Sequence, residues 1–297
     1  MTSHAHTEFG RIGIWSSALS VQRAETAEER TGIAEALAEL ETLGYGTVWL
    51  GGNASPEDAA AALAATRTIT VATGILSIWE HTAQEVAGRI AAVPEEDRDR
   101  FVLGLGVSHG PMVKGYAKPY SAMVEYLDAL DAAVPPVPAT RRVLAALGPK
   151  MLRLAADRAA GAHPYLVTAE HTAQAREALG PDALLAPELS VVVDTDLGRA
   201  RTTARAMLDM YLRLPNYTDN LLRLGFSESD FDGGGSVRLL DALFALGDTD
   251  QVRARTKEYL DAGADHVALQ VLTSAEDGPG LPRAEWRVLA EAFTDWL

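Results

Sequence analysis

The stretch RVLAALGPKMLRLAADRAAGAHPYLVT, residues 142–168, decides the fold. Val143 to Ala146 is an unbroken apolar run and reads as a buried strand. Gly148-Pro149 turns the chain. Lys150 to Ala160 predicts a helix, and Ala162 to Val167 a second strand. Two strands joined by one helix form a compact βαβ unit, which makes the strands parallel. The turn opens onto the helix N-terminus, where backbone N–H groups lack intrahelical partners and the helix dipole favours an anion. Pro149 suits a first helical turn, because its missing N–H costs nothing there. Taken alone, such a turn is more readily a plain connector than a phosphate site.

The same alternation continues on both sides. Ile12–Trp15, Thr47–Leu50, Thr70–Ile75 and Phe101–Leu105 read as strands before the unit, and Leu189–Val193 and His266–Val271 as strands after it. Between them lie helical stretches: Ala27–Leu43, Pro56–Thr66, Thr82–Val93, Ser121–Ala133, His171–Leu179, Asp196–Leu212 and Asp250–Ala262, with Arg283–Trp296 closing the chain. In the first of these, Ile33, Leu37 and Leu40 recur at helical spacing and Gly44 ends the pattern. Asn216 to Leu246 interrupts the alternation with helical pieces around a Gly233-Gly234-Gly235 hinge. Eight strands alternating with helices in 297 residues fit a (β/α)8 TIM barrel. The expected organisation is one domain over residues 1–297, with an insertion at about 213–247 before the last strand. A doubly wound open sheet is the rival, but Ile12-Gly13-Ile14-Trp15 runs into Ser16-Ser17-Ala18 and carries no G-x-G-x-x-G turn.

Composition narrows the partners. A formal net charge of −15 repels nucleic acid and anionic membrane, so neither is expected, and no apolar run is long enough to span a bilayer. The absence of cysteine removes disulfides and thiolate metal sites. The first residues, MTSHAHTEFGR, lack the apolar core of a signal peptide, so a cytoplasmic protein acting on a small molecule is expected.

Active sites of barrels lie at the C-terminal strand ends. The positions to weigh are therefore Trp15 to Ser17, Gly51 to Asn53, Thr73 to Trp79, Gly104 to His109, Gly148 to Met151, Thr168, Asp194 and Gln270. Gly104 and Gly106 let backbone approach a flat ligand, and His109 beyond Ser108 can act as acid or base near neutrality. Trp79 could wall an aromatic cofactor or simply be buried. His163 reads as structural or pocket-lining, His266 as structural at the barrel bottom, His81 as a neighbour of a helix cap, and His4, His6 and His171 as solvated. Asp196 reads as a helix cap. No H-E-x-x-H motif occurs, so no metal is expected, and neither a serine hydrolase nor a P-loop enzyme is expected.

The residues also carry a resemblance. RVLAALGPKMLRLAADRAAGAHPYLVT, RFVLGLGVSHG, VATGILSIW and GDTDQVRARTKEYLDAGADHVALQVL together resemble the luciferase-like monooxygenase superfamily, and most closely its deazaflavin (coenzyme F420)-dependent oxidoreductases. The resemblance spans nearly the whole chain. It implies a barrel with an insertion before the last strand, often a homodimer, with F420 or, alternatively, FMN across the mouth. It implies a cis peptide at Gly74–Ile75 behind the cofactor ring, with Gly106 and Ser108 also near the cofactor. The phosphate would meet the backbone of Gly148, Lys150 and Met151, with Pro149 in the turn and the Thr168 hydroxyl beside it. His109 would handle protons, and Trp15, Asn53 and Trp79 would line the substrate pocket. One departure stands out: Gly51-Gly52-Asn53 replaces the acidic residue or histidine expected after strand two. The implied activity is F420-dependent hydride transfer to or from a small organic molecule. The alternatives are an FMN-dependent monooxygenase and a flavin-binding barrel without turnover. Asn216 to Gly235 would form a lid.

Overall fold

The computed structural model describes residues 7–274 and 280–297, so the reading of His4 and His6 lies outside the described residues. In chain order the elements are β1 (Ile12–Ser16), α1 (Ala27–Thr42), β2 (Thr47–Gly51), α2 (Pro56–Ala65), β3 (Thr70–Gly74), β4 (Leu76–Ser77), α3 (Ala83–Ala91), a short α4 (Glu95–Arg98) and β5 (Phe101–Gly106). Then come α5 (Pro119–Asp131), β6 (Arg142–Leu144), α6 (Pro149–Arg158), β7 (Gly161–Ala162), α7 (Ala169–Leu179), β8 (Leu184–Leu185) and β9 (Glu188–Val193). The chain ends with α8 (Leu197–Tyr211), α9 (Pro215–Arg223), α10 (Val237–Leu243), β10 (Phe244–Gly247), α11 (Thr249–Asp261), β11 (Val267–Val271) and α12 (Arg283–Ala292). Local chemistry fixes several starts: Thr26 with Glu29, Ser55 with Asp58, Thr82 with Glu85, and Asp248 with Gln251 form capping boxes on α1, α2, α3 and α11. Asp196 caps α8, as its sequence predicts.

All strand pairs are parallel, in the order β10-β9-β11-β1-β2-β3-β5-β6-β7-β8. The ladder closes on itself. β8 and β9 are one chain segment bent at Ala186-Pro187, and it is flanked on both sides: Ala186 N donates to Ala162 O and Glu188 N to Pro164 O, while Ala268 N donates to Pro187 O. The result is a TIM-barrel-like wall ringed by helices, with β10 added beside β9. Its lower interior is filled. The Trp49 indole stacks on His163 at 4.1 Å, Trp49 Nε1 donates to His266 Nε2 (3.0 Å), and His266 Nδ1 reaches Gly10 O (2.9 Å). The interior is thus a packed core rather than a pore.

Three elements differ from the sequence expectation. Strand six stops at Ala162, because Pro164 has no N–H for a ladder and Leu166, at φ 54°, turns its N–H to the Glu188 carboxylate instead. Strand three ends at Gly74, where the Gly74–Ile75 bond is cis, and pairing resumes in β4. The region read as helical pieces around the glycine hinge ends in a strand, β10, paired to β9 from Phe244↔Ser190 to Gly247↔Val193. Its apolar residues follow α10 without a turn residue, which hides the boundary. Gly233, Gly234 and Gly235 do hold positive φ (61°, 80° and 114°). α8, α9, α10 and β10 build a second core of Leu208, Leu221, Leu240 and Phe244, which packs on Leu166 at the top of the barrel. Among the described residues, no helix is long and apolar enough to cross a membrane.

Candidate active site

The mouth is built on glycines that face an aromatic ring. Side chains alternate along a strand, so Trp15 points into the barrel, as Gly51 and Gly74 do on the next strands. The Trp15 indole lies across them: its Nε1 donates to Gly74 O (2.9 Å), and a Cβ on Gly51 would sit 2.2 Å from the ring. A Cβ on Gly106 would sit 2.4 Å from Ile75 Cδ1. These positions tolerate only glycine without moving their neighbours, because the Trp15 ring covers Gly51 and Gly74 and the Ile75 side chain covers Gly106, and these two side chains form the floor.

Above the floor runs an arc of rings. Tyr165 lies 5.3 Å from Trp15, Tyr211 is 5.4 Å from Tyr165, Tyr217 packs edge-on to Tyr211 at 5.2 Å, and His109 lies 5.3 Å from Tyr217. The polar ends are ordered too. Tyr165 donates its hydroxyl proton to Gln270 Oε1 (2.8 Å), and the Tyr211 hydroxyl is 3.0 Å from that of Tyr165. His109 Nδ1 meets Asn216 Oδ1 at 3.0 Å, tying the loop after β5 to the start of α9. Burial lowers the pKa of His109 below its ordinary value, and the Asn216 contact offsets part of that shift, so the ring is neutral near pH 7. Burial holds Tyr165 and Tyr217 well above the ordinary phenol range, so their hydroxyls stay protonated.

Glu188 lies inside the same layer and is 1% exposed. It accepts from Ser190 Oγ (2.6 Å) and Leu166 N (3.1 Å), and no cation pairs with it among the described residues. Desolvation therefore pushes its carboxyl up to about 7, against those two hydrogen bonds.

The corner around 142–168 brings two helix N-termini together. α6 starts at Gly148 with no side-chain cap, and a Cβ on Gly148 would meet nothing within 4 Å, so the turn faces open space. α7 starts at Thr168, whose hydroxyl caps His171 N (3.2 Å). His171 Nε2 lies 2.9 Å from Leu147 O and joins the two turns. His171, read as solvated, is in fact buried, because it makes this strap. Of the phosphate positions that the resemblance implies, Gly148 is half-buried and Lys150 exposed. Met151 N already bonds Gly148 O, and the Thr168 hydroxyl is buried at its cap. Two adjacent N-termini with an open glycine turn fit a phosphate group.

Asn53 and Trp79 each join neighbouring loops. Asn53 Oδ1 accepts from Ser77 N (2.6 Å), and Trp79 Nε1 donates to Val107 O (2.6 Å) while its ring lies 5.6 Å from Tyr116. A cavity of about 400 Å³ opens instead over the ends of β1 and β11, with α8 as its third side; Trp15, Ser17, Met207, Gln270 and Thr273 line it. A wider groove of about 970 Å³ adjoins it, lined by Asp194 with its ion-pair partner Arg199, and by Asp248, Asp250, Glu285 and Glu291. Gly106 to Gly110 also spells a literal G-x-S-x-G. Ser108 (φ 54°) has neither a histidine nor a carboxylate hydrogen-bonded to it among the described residues, and a 3-10 turn rather than an α-helix follows, so no acyl-transfer triad forms.

Sequence reasoning missed Tyr165, Tyr211, Asn216, Tyr217 and Glu188. The run YLRLPNY at 211–217 put three of them on a helix end and the turn beyond it. Glu188 stood just before a strand read as starting at Leu189.

A family model described as luciferase-like monooxygenase matches residues 11–266. No curated protein matches the chain. Among solved structures, the coenzyme F420-dependent tetrahydromethanopterin reductase from Methanopyrus kandleri superposes with a TM-score of 0.70 at 14% identity, covering 97% of this chain and 99% of that one. An F420-dependent secondary alcohol dehydrogenase, in complex with an F420–acetone adduct, gives 0.72 at 13% identity over 97% and 99%. The FMN-bound oxygenating constituent of 3,6-diketocamphane monooxygenase from Pseudomonas putida, a type II Baeyer-Villiger enzyme, gives 0.70 at 14% identity over 97% of each chain. At such identities the likeness is one of fold.

Proposed function

The chain belongs to the luciferase-like monooxygenase family, and from that premise we propose that it is an F420-dependent oxidoreductase moving a hydride to or from a small organic substrate. The observation that carries this reading is His109 in the loop after β5, held by Asn216 Oδ1 against Tyr217 and lowered in pKa by burial. The open turn at Gly148 suits the phosphate of such a cofactor. Coenzyme F420, when bound, supplies a two-electron hydride acceptor or donor.

The protein's own residues would do the rest. With Asn216 Oδ1 accepting from Nδ1, the proton of His109 is fixed on Nδ1 and Nε2 keeps its lone pair. Nε2 can therefore take the proton of a substrate hydroxyl as its carbon is oxidised, and return it in the reverse direction. Trp15 sets the plane against which the reacting carbon rests, and the tyrosine arc excludes water from it. The absence of an acid or histidine at Gly51-Gly52-Asn53 leaves this proton work to His109.

Titration of the protein with F420, FMN and FAD, followed by tryptophan emission, tests the cofactor. Trp15 borders the mouth, so F420 is expected to quench its emission. A response to FMN but not to F420 would overturn the proposal.

A further inference from the structure

The arc of rings at the mouth holds three phenols, and the fold uses the protons of two. Tyr165 donates to Gln270 Oε1 (2.8 Å). With that proton committed, the Tyr211 hydroxyl, 3.0 Å away, donates to Tyr165. Tyr217 differs. Its hydroxyl has no hydrogen-bond partner among the described residues, and it is not sealed in as the partnerless Tyr126 hydroxyl is. It therefore meets open space, although the residue as a whole is only 6% exposed.

Ring contacts fix where that hydroxyl stands. The Tyr217 ring lies edge-on to Tyr211 (5.2 Å) and to Tyr165 (6.3 Å), and 5.3 Å from His109. Its phenol end is within electrostatic reach of Tyr211 and of the buried Glu188, so it points inward from α9. Asn216 and Tyr217 are consecutive at the start of α9: the first accepts from His109 Nδ1, and the second packs against the same imidazole. An unspent O–H thus stands beside the ring whose Nε2 keeps its lone pair. The Tyr217 ring also packs in the second core with Leu214 and Leu221. Phenylalanine would fill that place equally well, so packing alone gives the hydroxyl nothing to do.

We propose that Tyr217 is a second catalytic residue: its hydroxyl donates to the oxygen borne by the reacting carbon, the same oxygen whose proton His109 Nε2 takes. The inference rests on the oxidoreductase reading and narrows its substrate to an alcohol and the matching carbonyl compound. In the oxidation direction the O–H bond breaks and its proton passes to Nε2. The C–H bond breaks as well, its hydrogen and electron pair leave together for the two-electron carrier, and the C=O bond forms. Negative charge builds on the oxygen between these events, and a fixed donor stabilises it more there than in either ground state. Tyr217 keeps its own proton throughout, because burial, with Tyr211 and Glu188 nearby, holds the phenol well above its ordinary range.

The first arm of the test needs no turnover. Cyclohexanone is added to the full chain, with and without the cofactor that the titration identifies, and its carbonyl stretch is read by infrared difference spectroscopy. A donated hydrogen bond lowers that stretch, so wild type should hold it below the value in hexane. Tyr217→Phe keeps the ring and its packing; it should raise the stretch and weaken binding about tenfold, as the loss of one hydrogen bond requires. Tyr211→Phe, whose proton is spent on Tyr165, should leave the stretch in place. The second arm follows oxidation of cyclohexanol by the loaded enzyme. Tyr217→Phe should lower kcat about a hundredfold with KM within threefold, and leave the acid limb that His109 sets where it is. A moved acid limb would mean that the phenol only holds His109, and would overturn the proposal. So would a stretch at the hexane value in wild type, no saturable binding of cyclohexanone, an unchanged stretch in Tyr217→Phe, or an equal change in Tyr211→Phe. If cyclohexanol is not oxidised, the first arm decides alone. If no flavin or deazaflavin binds but the stretch responds to Tyr217→Phe, the oxidoreductase reading fails and Tyr217 stands as a ligand-binding residue. If a cofactor binds and the stretch does not respond, the reading stands and the assignment of Tyr217 fails.

Discussion

Replacing Glu188 with glutamine should make the protein relatively more stable as pH rises. In the folded chain the Glu188 carboxyl is pushed up to about 7 by burial without a cation, against an ordinary value of 4.5. The folded state therefore holds a proton that the unfolded state releases between those values. Stability is highest below 4.5, falls as pH rises towards 7, and is flat beyond it. Integrating that difference from pH 5 to pH 8 costs the wild-type protein about 2.5 kcal/mol. Glu188→Gln has nothing to titrate there. Its amide oxygen can accept from Leu166 N, and its NH2 can donate to Ser190 Oγ once that hydroxyl rotates, so both partners stay satisfied. Any fixed cost of the substitution cancels when the two proteins are compared across pH. Thermal unfolding followed by circular dichroism at pH 5, 6, 7 and 8 should show the variant gaining on wild type by about 5 °C over the range, at roughly 2 °C per kcal/mol for a chain of this size. A difference that stays constant with pH, or shrinks as pH rises, would refute the buried, uncompensated carboxylate.

Three further outcomes are expected. His109→Ala should lower turnover about a hundredfold with cofactor affinity little changed, and Asn216→Ala, which removes the contact that raises the pKa of His109, should move the acid limb of the pH–rate profile to lower pH; steady-state kinetics across pH would check both. Gly51→Ala places a Cβ 2.2 Å from the Trp15 ring and should cost about 1–3 kcal/mol with a shifted tryptophan emission, so an unaltered melting point and spectrum would contradict the floor described above. His163 and His266 are buried with pKa values lowered to about 4 by desolvation, so the stability they contribute is complete above 6.5 and is lost as pH falls towards 4. His266→Gln, which keeps an acceptor for Trp49 Nε1 and a donor for Gly10 O, should flatten about half of that acid limb in melts from pH 7 to pH 4.5.

What the sequence discloses follows from what is local. The alternation of apolar runs with capped helices is written residue by residue, so the barrel and most element limits can be read directly. Gly74–Ile75 and the Gly148 turn stand out because glycine marks places where backbone must come close to something. The strand at Phe244–Gly247 is hidden because helix runs into strand with no punctuating residue. Strand six is overread because Ala162 to Val167 looks continuous, while the Pro164 ring and the distant Glu188 carboxylate decide its end.

The site is less legible, for a physical reason. His109 and Trp15 sit at strand ends and can be found by position. Their partners Asn216, Tyr217, Tyr211 and Tyr165 come from other elements, and the ring contacts among them span separations such as 107 residues between His109 and Asn216. No periodicity links such residues; only the second core of α8, α9 and α10, packed on Leu166, carries them over the mouth. Asn53 and Trp79, both at strand ends, lie outside the lining of the cavity over β1 and β11. Their polar atoms are already used to join neighbouring loops, and a group bonded to the scaffold has less to offer a ligand. Gln270 is the contrasting case: its oxygen accepts from Tyr165, and its side chain still lines the cavity over β1 and β11. In this barrel the question to ask of each residue at the mouth is therefore which of its polar atoms the fold has left unspent.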